Sequence, residues 1–312
     1  RIGYRFAASP RSGYTFPMIA PPKFASPSEH AARPGDVDFW RPYLVEILKR
    51  HDLLDSHVEP VPGHNPTNAT FIYGDVVLKL FEYLPEQWRK SQAAERAALW
   101  HVVSDPRIAA PSLLGDGELF DDRQAPWPYL ITMRIPGVAS WRAALNENQQ
   151  RTLAADLGKQ VERIHALPPI GVATEHDWPV QDVVAAAERT SLPPHLVAQV
   201  EDYVARLGPF EDVFVNSDVV ANHVYVEDGR FVGIIDWGDA MVSDRHVEII
   251  QVYRDAFACD GSLLRVFLDA SNWPAGSDFP QKALGHALRR QAIGLVQHNT
   301  IDVFMPVAEK YP

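Results

Sequence analysis

Val37, Trp40, Leu44, Ile47 and Leu48 are the apolar positions of the segment DVDFWRPYLVEILKRH. Steps of three and four residues put them on one face of a helix, and Asp36 stands where a capping side chain would accept a free first-turn amide. Two short apolar runs follow, Phe71–Tyr73 and Val76–Leu80, separated by Gly74-Asp75. Gly74-Asp75 is a two-residue turn signal, so the pair predicts a β-hairpin. Residues 86–103, rich in Ala, Glu, Gln and Arg, predict a second helix. After loop signals at Pro111 and Gly115–Gly117, the runs ELF (118–120) and YLITMRI (129–135) predict two more strands, and Ile135-Pro136-Gly137 breaks the pattern.

From Ser140 the pattern changes. Leu153, Leu157, Val161, Ile164 and His165 form one stripe of a largely helical stretch that stops before Pro168. Another helix is predicted over about 194–207. Three strands come next, DVFV (212–215), HVYV (223–226) and RFVGIID (230–236), the last two joined at Glu227-Asp228-Gly229. Beyond residue 245 the chain reads as mainly helical. Residues 1–36 carry Pro10, Pro17, Pro21, Pro22, Pro27 and Pro34 and hold no sustained period, which predicts an irregular arm. The organisation read from the pattern is an arm (1–36), a β-rich part (37–133), a hinge (134–139) and a larger helical part with a β insert (140–312).

Composition narrows the class. In 312 residues, 46% are hydrophobic and 22% charged, which is globular rather than disordered. The net charge of −11 argues against a nucleic-acid partner and suits a soluble protein or one with a cationic ligand. The single cysteine, Cys259, excludes an internal disulfide and a four-cysteine zinc site, and points to a reducing cytoplasm. No apolar run approaches the ~18 residues that suggest a bilayer span, so no membrane partner is expected.

The candidate chemistry gathers in VNSDVVANHVYVEDGRFVGIIDWGDA. Asp218 follows one short apolar strand, His223 opens the next, and Asp236 ends the third. Polar groups at the ends of neighbouring strands can converge, and a carboxylate between Ile235 and Trp237 is costly to bury without a partner or a metal. Any one of these residues alone reads more simply as a loop carboxylate or a core histidine. Together they fit phosphoryl transfer, in which one carboxylate steers an acceptor hydroxyl and another holds Mg²⁺ on nucleotide phosphates.

These residues resemble the catalytic stretch of the aminoglycoside phosphotransferase family of kinase-like enzymes. That stretch runs His-x-Asp, then Asn or His five residues past the Asp, then (I/V)-D-(W/F)-G-D. Here it reads Asn216-Ser217-Asp218, His223 and Ile235-Asp236-Trp237-Gly238-Asp239, with Asn216 standing where the family has His. The resemblance implies Asp218 as the catalytic carboxylate with Asn216 supporting its loop. Asp236 is then the main metal ligand, and His223 takes the place of a metal-binding Asn, as in macrolide phosphotransferases. It further implies that Lys79 in VVLKLF meets the nucleotide α/β-phosphates, paired with Glu95 in AAERAAL, or less favourably with Glu86. PGHNPTNATFIY takes the place of a nucleotide-covering loop, with Gly63, Asn65, Thr67 and Asn68 presenting amides, although it matches neither common glycine-rich phosphate motif. Backbone groups of Thr132, Met133 and Arg134 would meet adenine.

The segments FWRP, WPYLITMRIPGVASWRAAL and LAADLGKQVERIHALP look particularly like hygromycin phosphotransferases of the 7″ type. The implied fold is α+β, a bilobal protein-kinase-like fold with a small β-rich lobe and a larger helical lobe carrying catalytic hairpins. The implied activity is transfer from ATP or GTP, with Mg²⁺, to a hydroxyl of a small cationic antibiotic. Asp239, Asp244 and Glu248 are candidates to flank that acceptor, while Asp244 and Glu248 also read as braces of the loop after the metal site. The rivals are a same-fold kinase for a macrolide, sugar or amino alcohol, a nucleotide-binding protein that has lost transfer through Asn216, and a metal-dependent hydrolase. His165 reads as structural. Ser243, Asp244 and His246 lack a nucleophile elbow, and His51, His57 and His64 lack the spacing of a zinc site.

Overall fold

The computed structural model describes residues 19–24, 29, 32–64, 68–81, 86–122, 125–173, 180–188, 193–274, 276 and 278–298. The arm over 1–18, Asn65, Thr67 and residues 299–312 lie outside them. The chain divides into two compact units, one formed by residues 1–100 and 111–135, the other by 101–110 and 136–312.

The first unit is a five-stranded antiparallel sheet with helices. Its elements are α1 (Val37–Arg50), β1 (Val61–Pro62), β2 (Ala69–Tyr73), β3 (Val76–Leu80), α2 (Glu86–Val102), β4 (Leu113–Glu118) and β5 (Pro128–Met133), in strand order β1-β2-β3-β5-β4. Asp36 caps α1 by accepting from the Phe39 amide at 3.1 Å. The predicted hairpin is present: Tyr73 pairs with Val76, leaving Gly74-Asp75 as the turn, with Gly74 at φ +57°. The α1 stripe of Trp40, Leu44, Ile47 and Leu48 packs into one core with Phe71, Leu78 and Ile131. Burying a large apolar side chain contributes roughly 1.5–3 kcal/mol, and this shared core ties the helix to the sheet.

One strand lies earlier than the pattern predicts. β4 occupies LLGDGE rather than ELF, so both glycines read as loop signals sit inside a strand. The reason is close approach. A Cβ on Gly115 would lie 2.6 Å from the His51 ring, and one on Gly117 would lie 2.7 Å from the Tyr129 hydroxyl.

The second unit begins with β6 (Val138–Ala139) and a 3₁₀ turn at Ser140–Arg142. The helices α3 (Glu147–His165), α4 (Val180–Ala187), α5 (Pro194–Val197) and α6 (Val200–Ala205) follow. Then come β7 (Asp212–Val215), β8 (Val224–Glu227), β9 (Arg230–Ile234) and β10 (Met241–Asp244). A 3₁₀ turn (Arg245–Glu248), α7 (Ile249–Gln251), a π turn (Val252–Ala256), α8 (Gly261–Ala270) and α9 (Phe279–His298) complete it. β6, β8 and β9 form one antiparallel sheet, and β7 pairs with β10 in another.

The helical stretch predicted from Ser140 starts properly only at Glu147, because Asn146 and Gln149 form a reciprocal capping box there. The helix predicted over 194–207 is two short ones. Residues 101–110 join the second unit through Ala109, whose carbonyl accepts from the Ile234 amide at 2.8 Å and whose amide donates to Gln160 Oε1 at 2.8 Å. No helix of the described residues is long and apolar enough to cross a membrane.

Candidate active site

β7 is apolar over Val213–Val215 and delivers the chain into Asn216-Ser217-Asp218. The turn needs support, because Ser217 holds a φ of +66°, which a side chain disfavours. Glu248 supplies it. Its Oε1 accepts from the amides of Asn216 (2.7 Å) and Ser217 (3.2 Å), and its Oε2 lies 3.2 Å from His165 Nε2. Asn216 adds two ties: its Oδ1 accepts from the Asp218 amide at 3.0 Å, and its Nδ2 donates to the Asp236 carbonyl at 3.3 Å. The first is the local turn that Asn side chains favour, and the second joins the loop after β7 to the loop after β9. Asp236 itself has φ +58°.

Asp218, His223 and Asp236 do converge. His223 Nδ1 lies 3.1 Å from Asp218 Oδ2, and Nε2 lies 3.7 Å from Asp236 Oδ2. Burial alone would lower the pKa of this imidazole, but the hydrogen bond and charge of Asp218 and the charge of Asp236 outweigh it and raise it to about 9. The ring is therefore a cation near neutral pH, with both nitrogens facing carboxylates. That charge belongs to the site without a metal: a cation on Asp236 would offset the carboxylate charge that holds the proton, so His223 stays a candidate auxiliary metal ligand as well as a donor to a phosphate oxygen. Asp236 keeps oxygen donors, and its side chain is 38% exposed. Mg²⁺ demands oxygen ligands and retains water, so Asp236 fits it.

Two candidates for flanking an acceptor are corrected by burial. Glu248 is fully buried and occupied by the loop. Asp244 is 4% exposed; it accepts from the Glu211 amide at 3.0 Å and contacts His246 Nδ1 at 2.7 Å and His286 Nε2 at 3.3 Å. Both carboxylates are braces, but of other segments than the loop after the metal site: Glu248 holds the loop after β7, and Asp244 holds the entry to β7 and two histidines. Asp239 is exposed. Cys259 is half-buried, and His165 is buried against Glu248 and Trp273, a structural placement.

Sequence reading missed Gln251, whose Nε2 donates to Asp218 Oδ1 at 2.9 Å, and Asp255, whose Oδ1 accepts from the Ala221 amide at 3.0 Å. No motif signals either residue. Gln251 ends α7 and Asp255 lies in the turn after it, a segment that sequence alone does not bring back to the catalytic loop.

In the first unit, Lys79 Nζ lies 2.8 Å from Glu95 Oε2. β3 is flanked by β2 and β5, so Lys79 stands on an inner strand rather than reaching out from an edge. Glu95 is buried rather than on a solvated face. The Lys79 ammonium also lies 5.2 Å over the Phe81 ring. Asn68 is buried just before β2. The amides of Met133 and Arg134 already donate to the Ser112 and Asp75 carbonyls, each at 2.8 Å. Neither is therefore an available donor to a base, which corrects that part of the expectation for Thr132–Arg134. The side chain of Glu86 lies outside what the structure describes.

Known proteins share this architecture. The chain is similar to the GDP and kanamycin complex of APH(2″)-IIia, with a TM-score of 0.65 and 17% identity, covering 86% of this chain and 97% of that one. It is also similar to the macrolide 2′-phosphotransferase MphH of Brachybacterium faecium (TM-score 0.57, 18% identity, 86% and 96% covered). A further likeness is to APH(3″)-Id of Streptomyces rimosus in complex with ADP and streptomycin (TM-score 0.55, 20% identity, 80% and 98% covered). At these identities the likeness is one of fold, and it is the α+β kinase-like fold expected from the sequence. A curated relative, the lysine-specific demethylase JMJ21 of Arabidopsis thaliana, is 25% identical over 204 residues, 47% of this chain. The chain spans only 22% of that protein's length. Residues 58–279 match the phosphotransferase enzyme family, and that span takes in Lys79, Glu95, Asp218, His223 and Asp236. The chain belongs to the phosphotransferase enzyme family.

Proposed function

We propose that this chain transfers the terminal phosphoryl group of ATP or GTP to a hydroxyl of a small molecule of the aminoglycoside class, hygromycin-like aminocyclitols included. The observation that carries the reading is the convergence of Asp218 and Asp236 on His223, on loops joined by the Asn216 amide. Asp218 orients the acceptor hydroxyl and accepts its proton as the phosphoryl group leaves the nucleotide. Asp236 would hold Mg²⁺, which would supply positive charge to offset that on the transferring group. His223, beside Asp236, would serve the same metal or a phosphate oxygen. Lys79, aimed by Glu95, meets the α/β-phosphates.

Family membership supports phosphoryl transfer, and the similar folds solved with GDP or ADP support a nucleotide donor. The kanamycin and streptomycin complexes of two of those proteins, the net charge of −11 and the exposed Asp239 support a cationic acceptor. Asn216 supports an active enzyme, since its amide ties the two loops on which the site depends.

The test is a coupled assay of ADP or GDP release over aminoglycosides, macrolides, sugars and amino alcohols, with Asp218→Ala as control. Release that needs an aminoglycoside and is abolished in Asp218→Ala is the expected result. Release with a neutral macrolide or sugar alone would move the acceptor class. Equal release by wild type and Asp218→Ala with every acceptor would overturn the reading.

A further inference from the structure

Asp218 can only accept hydrogen bonds, and both of its oxygens have donors. His223 Nδ1 faces Oδ2 at 3.1 Å, and Gln251 Nε2 donates to Oδ1 at 2.9 Å. Gln251 is 7% exposed, and behind it Arg254 donates to its Oε1 at 3.1 Å. The orientation of the Gln251 amide follows from chemistry alone. Arginine only donates and a carboxylate only accepts, so a flipped amide would set oxygen against oxygen and N–H against N–H. We propose that Gln251, backed by Arg254, is a positioning residue for phosphoryl transfer, fixing the rotation of the Asp218 carboxylate. The proposal rests on Asp218 being the group that meets the acceptor hydroxyl.

Local backbone geometry explains why the contact exists. Helical turns tighten and widen in succession here, with a 3₁₀ turn at Arg245–Glu248, one α turn at Ile249–Gln251 and a π turn at Val252–Ala256. The widened turn brings Gln251 and Asp255 onto the same loop: one takes the Asp218 side chain, the other the Ala221 amide. Single π turns inside helices recur at functional sites. Glu248, three residues before Gln251, holds the amides on the other side of Asp218. The segment 248–255 thus fixes the backbone before and after Asp218 and fixes its carboxylate as well.

A neutral donor suits this position. A lysine or arginine in place of Gln251 would orient the carboxylate equally well, but its charge would stabilise the ionised form and weaken its pull on a hydroxyl proton. His223 already faces Oδ2, and an amide orients Oδ1 without adding a second charge.

Three variants test the proposal: Gln251→Leu, Arg254→Met and the double variant, assayed with the acceptor found above. Gln251→Leu should lower kcat by roughly 10- to 100-fold, the scale of a misplaced reacting group, with the KM for MgATP within about twofold. Arg254→Met should lower kcat less, and should lower it no further when added to Gln251→Leu, because it acts through Gln251. Unchanged kcat in Gln251→Leu, or multiplicative losses in the double variant, would overturn the proposal. A crystal structure of Gln251→Leu supplies a readout that needs no turnover. A rotated Asp218 carboxylate is the expected result, and an Asp218 held as in the wild type would overturn it. If no acceptor supports release and Asp218→Ala matches wild type, the functional reading fails, while the Asp218 rotamer still decides the positioning.

Discussion

The Glu248 carboxylate is fully buried, with Oε1 shared between two backbone amides and Oε2 against His165. Removing it would leave two buried N–H groups without an acceptor beside the left-handed Ser217, and each such group costs about 1–3 kcal/mol. Glu248→Ala should therefore lower the unfolding free energy by about 3 kcal/mol or more, read from denaturant midpoints. At Asn216 the two ties have separate consequences. Asn216→Leu loses both, so turnover should fall at least tenfold with little change in nucleotide affinity. Asn216→His can still donate or accept and should keep most of the activity. Equal turnover in the Leu variant would show that the amide does not hold the loop. In the first unit, Lys79→Ala should weaken nucleotide binding strongly in titration calorimetry, and Glu95→Gln less so, since it removes the pair's charge but keeps a partner. The residues of this site were legible in sequence because their spacing survives in one contiguous stretch. Glu95 was recognisable only beside that motif, and Gln251 was not legible, since nothing in its neighbours marks a polar residue that folds back.

At the scale of elements, period and punctuation gave α1, the β2–β3 hairpin and the β8–β9 hairpin. Each has a local cause that sequence displays: a capped apolar stripe, or a two-residue turn between apolar runs. β4 was misplaced because the fit of Gly115 and Gly117 against His51 and Tyr129 is a long-range fact. β10 was missed because four residues carry too little alternation to announce a strand, and its pairing with β7 comes from across the insert. Gly158 is a third case of close approach, in the middle of α3. A Cβ there would lie 2.5 Å from the Phe267 carbonyl oxygen and 3.1 Å from the Ala270 Cβ, on α8. Alanine would gain about 1 kcal/mol of helix propensity. The clash is with backbone, which cannot rotate away, and overpacking costs about 1–3 kcal/mol. Gly158→Ala should therefore be destabilising or at best neutral in urea unfolding; a clear rise in midpoint would mean that α3 and α8 separate easily.

For the molecule as a whole, a β-rich and a helical part were legible in the pattern, but the ties of residues 101–110 were not, because their hydrogen bonds go to Gln160 and Ile234, far along the chain. Distance in sequence likewise hid the buried group around Asp244, which receives His246 from its own turn, His286 from α9 and the Glu211 amide. That group should set the acid limb of stability. Burial lowers the pKa of His286 below 6.5, and the charge of Asp244 does not fully offset this. The unfolded chain then binds this proton more readily, so stability is lost as pH falls below about 6.5. Burial alone would raise the Asp244 carboxyl, but hydrogen bonds from His246, His286 and the Glu211 amide hold it far below the usual range. Its contribution is present above about pH 4 and is lost as pH falls further. His223 acts in the opposite sense. Raised to about 9, its contribution is complete below 6.5 and disappears as pH climbs through 9. Without Mg²⁺ and nucleotide, the thermal midpoint should therefore peak near pH 6.5 and decline on both sides. His286→Phe should flatten the decline between about pH 6.5 and 4 while leaving the alkaline decline in place. A His286→Phe protein that keeps the wild-type acid limb would show that another group sets it.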